Sequence, residues 1–157
     1  MNILVIDGQG GGIGRQLVAR IKKEFPEVSL TAVGTNTIAT AAMLSAGADH
    51  SATGENAVIV ASRKADIIVA PIGVVIADSL LGEITPAMAT AVAQADAKRI
   101  LLPFNHCENI IVGVTDYTIG KLLQLAMEEI KVLVCFSIKY AFHNNLIIAF
   151  ICVFSHR

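Results

Sequence analysis

The sequence predicts an α/β protein of the Rossmann-like, doubly wound class, a mainly parallel sheet with helices on both faces. Three observations predict it. Short continuous apolar runs alternate with stretches of helical spacing from residue 2 to about residue 131, the pattern of strand–helix–strand units. The first unit turns through Asp7-Gly8-Gln9-Gly10-Gly11-Gly12-Ile13-Gly14, a glycine loop between a strand and a helix start. Apolar residues make up 54% of the chain and charged residues 16%, a balance that suits strands buried on both faces.

The elements follow in order. Asn2 to Ile6 is an apolar run stopped by Asp7-Gly8, which reads as a buried strand. Ile13, Leu17, Val18 and Ile21 then recur at three- and four-residue steps until Phe25-Pro26 closes the helix,. Val28 to Val33 is the second strand, and Asn36 is placed to cap a helix that ends at Gly47,. Ala48 to Thr53 reads as a small edge strand and Glu55 to Ala65 as a short helix. Asp66 to Ala70 is an inner strand leaving through Pro71-Ile72-Gly73, with a helical or loop stretch to Leu81. Thr85-Pro86 opens a helix to about Gln94, with proline at the first helical position,. Strands are expected over Arg99–Phe104 and Ile110–Val114, then a helix capped by Asp116 and reaching about Val132. Strands alternating with helices in this way pack as a parallel sheet with right-handed crossovers.

At 157 residues the chain has the length of one domain and can bury a core without disulfides or metals. Residues 1–131 form the expected Rossmann-like domain. From Val132 to residue 157 the chain is apolar without a polar helical face and is interrupted by Lys139, His143, Asn144 and Asn145. An extra strand or helix, a lipid-facing anchor and a non-native extension all fit that tail, and the abrupt loss of amphipathicity after Lys131 favours the last. It is no clean membrane span. A net charge of -1 provides no basic field for nucleic acid. Cys107, Cys135 and Cys152 lie far apart, an odd count without metal-ligand spacing, and the four scattered histidines form no metal constellation. The chain opens directly on a strand with no signal-type segment, so the expected compartment is the cytoplasm.

The glycine loop carries the chemistry. A phosphate needs backbone N–H groups at a helix N-terminus and no Cβ in the way. Asp7, Gly8, Gln9, Gly10, Gly11, Gly12, Ile13 and Gly14 are the residues expected to form that cradle, although a tight turn without a ligand is the alternative. The dinucleotide pattern G-x-G-x-x-G fails, because it would need glycine at Ile13,. Gly8, Gly12 and Gly14 fit G-x-x-x-G-x-G, which resembles the turn of short-chain dehydrogenases/reductases, with Asp7 where that family usually has threonine. No Gly-Lys-Ser/Thr follows, so the loop is not a P-loop. NAD enzymes place an acid at the end of the second strand. Here Gly34, Thr35 and Asn36 stand there, which weakens NAD and slightly favours NADP, through hydrogen bonds to a ribose or 2′-phosphate. Asn36 acting as a helix cap alone is the competing role. Pro71, Ile72 and Gly73 lie at another strand exit, where ligands of open α/β sheets bind. They either line a nucleotide or form only a turn.

Catalytic groups are harder to find. Tyr117 and Lys121 have the Tyr-x-x-x-Lys spacing by which short-chain reductases set an ammonium beside a phenol for proton transfer. Such spacing also arises by chance, and a surface role explains both. His106 and Cys107, after a strand, pair a base with a nucleophile. Consecutive residues seldom aim at one atom, and an inert loop is the simpler reading. Asp78 and Glu83 have acid–base chemistry near the same rim, with surface solvation as the simpler alternative.

The glycine loop together with Gly34-Thr35-Asn36, Ala52-Thr53-Gly54-Glu55-Asn56, Pro71-Ile72-Gly73 and Gly82-Glu83-Ile84-Thr85-Pro86 resembles the bacterial domain of unknown function 3842 family over residues 1 to about 131. The resemblance implies a stand-alone Rossmann-like domain, lends no catalytic residue, and leaves the tail unmatched. The function expected is binding of a nucleotide or dinucleotide phosphate at Gly8–Gly14 by a binding or regulatory module. The alternative is a small NAD(P)-dependent oxidoreductase completed by homo-oligomerisation.

Overall fold

The first apolar run forms β1 (Asn2–Asp7) and becomes the centre of a five-stranded parallel sheet. A computed structural model describes residues 1–103, 109–114 and 117–143, with side chains of the last helix followed to Phe136. After β1 come α1 (Gly12–Glu24), β2 (Ser29–Gly34), α2 (Thr37–Ser45), β3 (His50–Thr53), α3 (Glu55–Ser62) and β4 (Ile67–Pro71). A 3₁₀ turn (Ile72–Val75), α4 (Pro86–Gln94), β5 (Lys98–Leu102) and α5 (Ile119–His143) complete them. The sheet order is β3-β2-β1-β4-β5. All four pairings are parallel, with Ile3 opposite both Leu30 and Ile67 and Asp7 opposite Gly34. The doubly wound class is thus observed.

Alternation along β1 divides the core in two. Ile3 and Val5 pack with Leu17, Val18 and Ile21 of α1, Met43 of α2 and Leu123, Met127 and Ile130 of α5. Leu4 and Ile6 pack with Val58 of α3 and Met88 and Val92 of α4. The chain winds outward from β1 through α1 and α2, then returns through α3 to the other side of β1. Right-handed crossovers running in opposite directions put their helices on opposite faces. The reversal lies between β1 and β4, so the carboxyl ends of these two strands flank the crevice where open α/β sheets take ligands.

Two expected elements differ. Ile110–Val114 is not a strand: Ile110 and Val112 are 94% and 93% exposed. Gly113 has φ +84 and the Val114 N–H donates to the Ile111 carbonyl at 3.2 Å, a turn. An apolar run without a neighbouring strand to bury it does not form sheet. The last helix begins at Ile119, not beside Asp116, which lies outside the described residues. The Thr118 hydroxyl accepts the Lys121 N–H at 3.3 Å. This helix also passes beyond Val132 to His143, and Val134 is buried in the core, so the expected division after residue 131 falls within a continuous helix. Residues 144–157 lie outside the described residues. Among those described, no helix is long and apolar enough to cross a membrane.

One core position is poorly satisfied. The Ser62 hydroxyl on α3 is buried with no hydrogen-bond partner among the described residues. A buried polar group left unpaired is destabilising. Ser62→Ala is therefore expected to raise stability by about 1 kcal/mol, read from the urea midpoint at unchanged slope. A loss of stability would show that the hydroxyl is satisfied.

Candidate functional site

The site is built where β1 ends. Asp7 is 5% exposed. Its Oδ1 accepts the Gly8 N–H at 2.8 Å and its Oδ2 the Gly14 N–H at 2.6 Å. A carboxylate at the first turn of α1 suits the positive end of the helix dipole. Burial nevertheless pushes the Asp7 carboxyl above its usual range, against the N–H groups of Gly14, Gly8 and Ile13, and the charge of Glu83 adds to the push. The loop itself turns through Gly11, at φ +65, whose N–H donates to the Gly8 carbonyl at 3.0 Å. Close approach explains two further glycines. A Cβ on Gly8 would stand 2.8 Å from both Glu83 Oε2 and Thr35 Oγ1, and one on Gly14 would stand 2.5 Å from Met43 Sδ.

Gly10 and Gly12 are different. Both are exposed, neither has positive φ, and a Cβ on either would meet nothing within 4 Å. Among the described residues no hydrogen bond uses the N–H of either one. Packing does not require glycine here, while an approaching anion would.

At the end of β2, Asn36 does cap α2, with Oδ1 accepting the Ala39 N–H at 2.9 Å. Its Nδ2 also donates to the Gln9 carbonyl at 2.9 Å and to Glu83 Oε2 at 3.1 Å. The Thr35 hydroxyl donates to the same Glu83 oxygen, and so does the Gln9 N–H, at 2.8 Å. The end of β2 itself carries no acid, and the fold brings one to it. Glu83 brings a carboxylate to Thr35 and Asn36 from a loop 48 residues further along the chain. Glu83, expected as a solvated rim residue, is instead half-buried against partners far away in sequence. The Gly82–Pro86 motif was visible, but its spacing carries no sign of the contact.

That loop runs from the exit of β4. Pro71 and Gly73 are buried, and Gly73 accepts both the Ser79 hydroxyl and the Ile76 N–H at its carbonyl. The stretch Pro71-Ile72-Gly73 acts as a strand-exit turn that launches the loop. Asp78, Leu80 and Leu81 have positive φ, at 63, 54 and 60, followed by Gly82 at 86. Left-handed backbone in non-glycine residues is costly and needs surrounding contacts to hold it. Fully buried Ile84, whose carbonyl accepts the Asp78 N–H at 2.8 Å, supplies one anchor. Glu83 supplies the other.

Burial pushes the Glu83 carboxyl up, but the donors Thr35, Gln9 and Asn36 outweigh it and hold it below its usual 4.5. The sign follows from linkage. A depressed carboxyl contributes stability above its unfolded pKa and loses that contribution as pH falls through the folded one. Wild type should therefore lose its stability advantage over Glu83→Gln on acidification below 4.5. Urea midpoints of both proteins between about pH 3 and pH 6 test this, and parallel curves would contradict it.

The remaining sequence candidates do not assemble here. Tyr117 is 47% exposed and precedes α5, while Lys121 lies within it, so the pair does not share a helical face. His106 and Cys107 lie outside the described residues. The described residues hold no group of three metal-ligating side chains. A groove of about 360 Å³ lies beside α3 and the β1–β3 strands, with Leu4, Val33 and Ala57 among its lining, away from the glycine loop. The carboxyl edge is distinguished by its hydrogen-bonding groups.

Over residues 2–135 the sequence matches the family described as a domain of unknown function, DUF3842. The chain belongs to that family. The short-chain dehydrogenase/reductase likeness of the DUF3842 glycine loop goes no further than its spacing. Among solved structures, the dodecameric FMN-dependent UbiX-like decarboxylase of Escherichia coli O157:H7 is similar over 81% of this chain and 75% of that chain. The two are 20% identical, with a TM-score of 0.43. No curated protein sequence matches this DUF3842 chain.

Proposed function

We propose that this protein is a nucleotide-binding module whose ligand phosphate rests on the N–H groups of Gly10 and Gly12 at the start of α1. One observation carries the reading. These two glycines are exposed at the switch in strand order, are not required by packing, and keep N–H groups without an internal partner among the described residues. A helix N-terminus that opens a glycine loop stabilises anionic oxygen through its N–H groups and dipole. The neighbouring amides of Gly8 and Gly14 serve Asp7 and that of Gln9 serves Glu83, so the loop keeps its shape before a ligand arrives. Binding or regulation is favoured over hydride transfer because Tyr117 precedes α5 and the Tyr-x-x-x-Lys arrangement is not formed.

Thermal shift against NAD, NADP, ATP, GTP, FAD, FMN and S-adenosylmethionine tests the reading. A ligand present at about 100 times its Kd stabilises by about 2.7 kcal/mol, a shift of several degrees for a chain of this length. Gly12→Ala provides the internal control. With no neighbour to meet the added methyl, the variant should keep its stability or gain up to about 1 kcal/mol. It should nonetheless lose the ligand-induced shift, because the methyl stands where the phosphate approaches. No shift from any of these ligands, or an undiminished shift in Gly12→Ala, would overturn the proposal.

A further inference from the structure

We infer that Glu83 reads the sugar of the bound nucleotide, accepting hydrogen bonds from a free ribose diol and rejecting a ribose that carries a 2′-phosphate. The inference rests on the nucleotide-binding reading above and adds the class of ligand. Open α/β folds that bind a ribose diol commonly place an acid at the end of the second strand, and those that bind a 2′-phosphate place an arginine nearby. β2 of this chain ends in Gly34-Thr35-Asn36 and has neither.

The fold provides the acid from elsewhere. The Thr35 hydroxyl, the Asn36 amide and the Gln9 N–H all converge on one oxygen of Glu83, Oε2. The other oxygen, Oε1, has no hydrogen-bond partner among the described residues. One oxygen thus fixes the carboxylate beside the glycine loop and the other remains available to accept hydroxyl protons. Close contact confirms the placement, since Oε2 would lie 2.8 Å from a Cβ on Gly8.

Charge sharpens the selection. Among the described residues the ion pair found is Lys22 with Asp49, and no cation pairs with Glu83. A 2′-phosphate on the ribose would meet the Glu83 carboxylate, whose charge no cation pairs among the described residues, and like charges brought together discriminate strongly. This reverses the slight preference for NADP drawn from Thr35 and Asn36 alone.

Calorimetric titration of the full chain at neutral pH with ADP-ribose and with 2′-phospho-ADP-ribose provides the test. Wild type should bind ADP-ribose at least about tenfold more tightly. Glu83→Gln should weaken ADP-ribose by about tenfold and bring the two affinities together, because the charge that strengthens its hydrogen bonds to the diol is lost along with the repulsion. Equal or tighter binding of 2′-phospho-ADP-ribose by wild type overturns the inference, and so does an unchanged ratio in Glu83→Gln. Should that variant not fold, the wild-type ratio decides alone. Inorganic pyrophosphate separates the two levels. If it binds wild type while the sugar preference is absent, the phosphate site stands and the role of Glu83 falls. If neither pyrophosphate nor ADP-ribose binds, both fall together.

Discussion

Replacing Gly11 by alanine is expected to remove about 3 kcal/mol of folding stability, from a left-handed backbone penalty and a backbone collision together. Gly11 has φ +65, a conformation that a Cβ disfavours by about 1–2 kcal/mol. The added methyl would also stand 2.7 Å from the Cα and 3.0 Å from the carbonyl oxygen of Ala39. These are backbone atoms of α2, so relief requires one helix to shift against another. Overpacking of this kind costs about 1–3 kcal/mol. Since domains of this size hold about 5–15 kcal/mol in total, the urea midpoint should fall substantially at unchanged slope. Gly10→Ala is the matched comparison, with ordinary φ and open surroundings, and is expected to stay within about 0.5 kcal/mol of wild type. Equal losses at Gly10 and Gly11 would contradict this account of the loop.

Asp7→Ala is expected to cost a similar amount, about 2–4 kcal/mol. The substitution leaves the N–H groups of Gly8, Ile13 and Gly14 without their acceptor, at a site that excludes most water. Removing a buried charge offsets part of the loss, because burial is what raises the carboxyl in the first place. That offset makes the penalty depend on pH. A carboxyl with a raised folded pKa contributes stability that is fully present below its unfolded value of 3.8 and is lost as pH rises through the folded one,. The difference between wild type and Asp7→Ala should therefore narrow from acid toward neutral pH. Asp7→Asn keeps one acceptor but sets an amide donor against a backbone donor, and should fall between them. Denaturation curves of the three proteins across about pH 4 to 7 decide the matter. A gap that widens with pH would mean that the ionised carboxylate is the favoured form in the fold.

Much of the architecture can be read from local pattern. The central strands are continuous apolar runs and the amphipathic helix α1 follows a glycine loop, so α/β class, element order and family follow from residues close together in the chain. Asn36 and Thr85 sit at the helix starts their side chains cap, because capping is a contact between residues three apart. Pattern failed where partners decide. Ile110–Val114 has strand composition but no neighbour to pair with, and α5 extends past Lys131 because Ile130 and Val134 find a core to enter. The candidate site divides in the same way. The glycine loop was visible as five glycines in seven positions, yet which of them serve packing and which stay open depends on Ala39, Met43 and Glu83 across the fold. Likewise the acid missing from the end of β2 is a true absence in the sequence. Only tertiary structure could supply it, since a loop anchored by Ile84 carries the Glu83 carboxylate to Thr35 and Asn36, and no local spacing encodes so distant a contact.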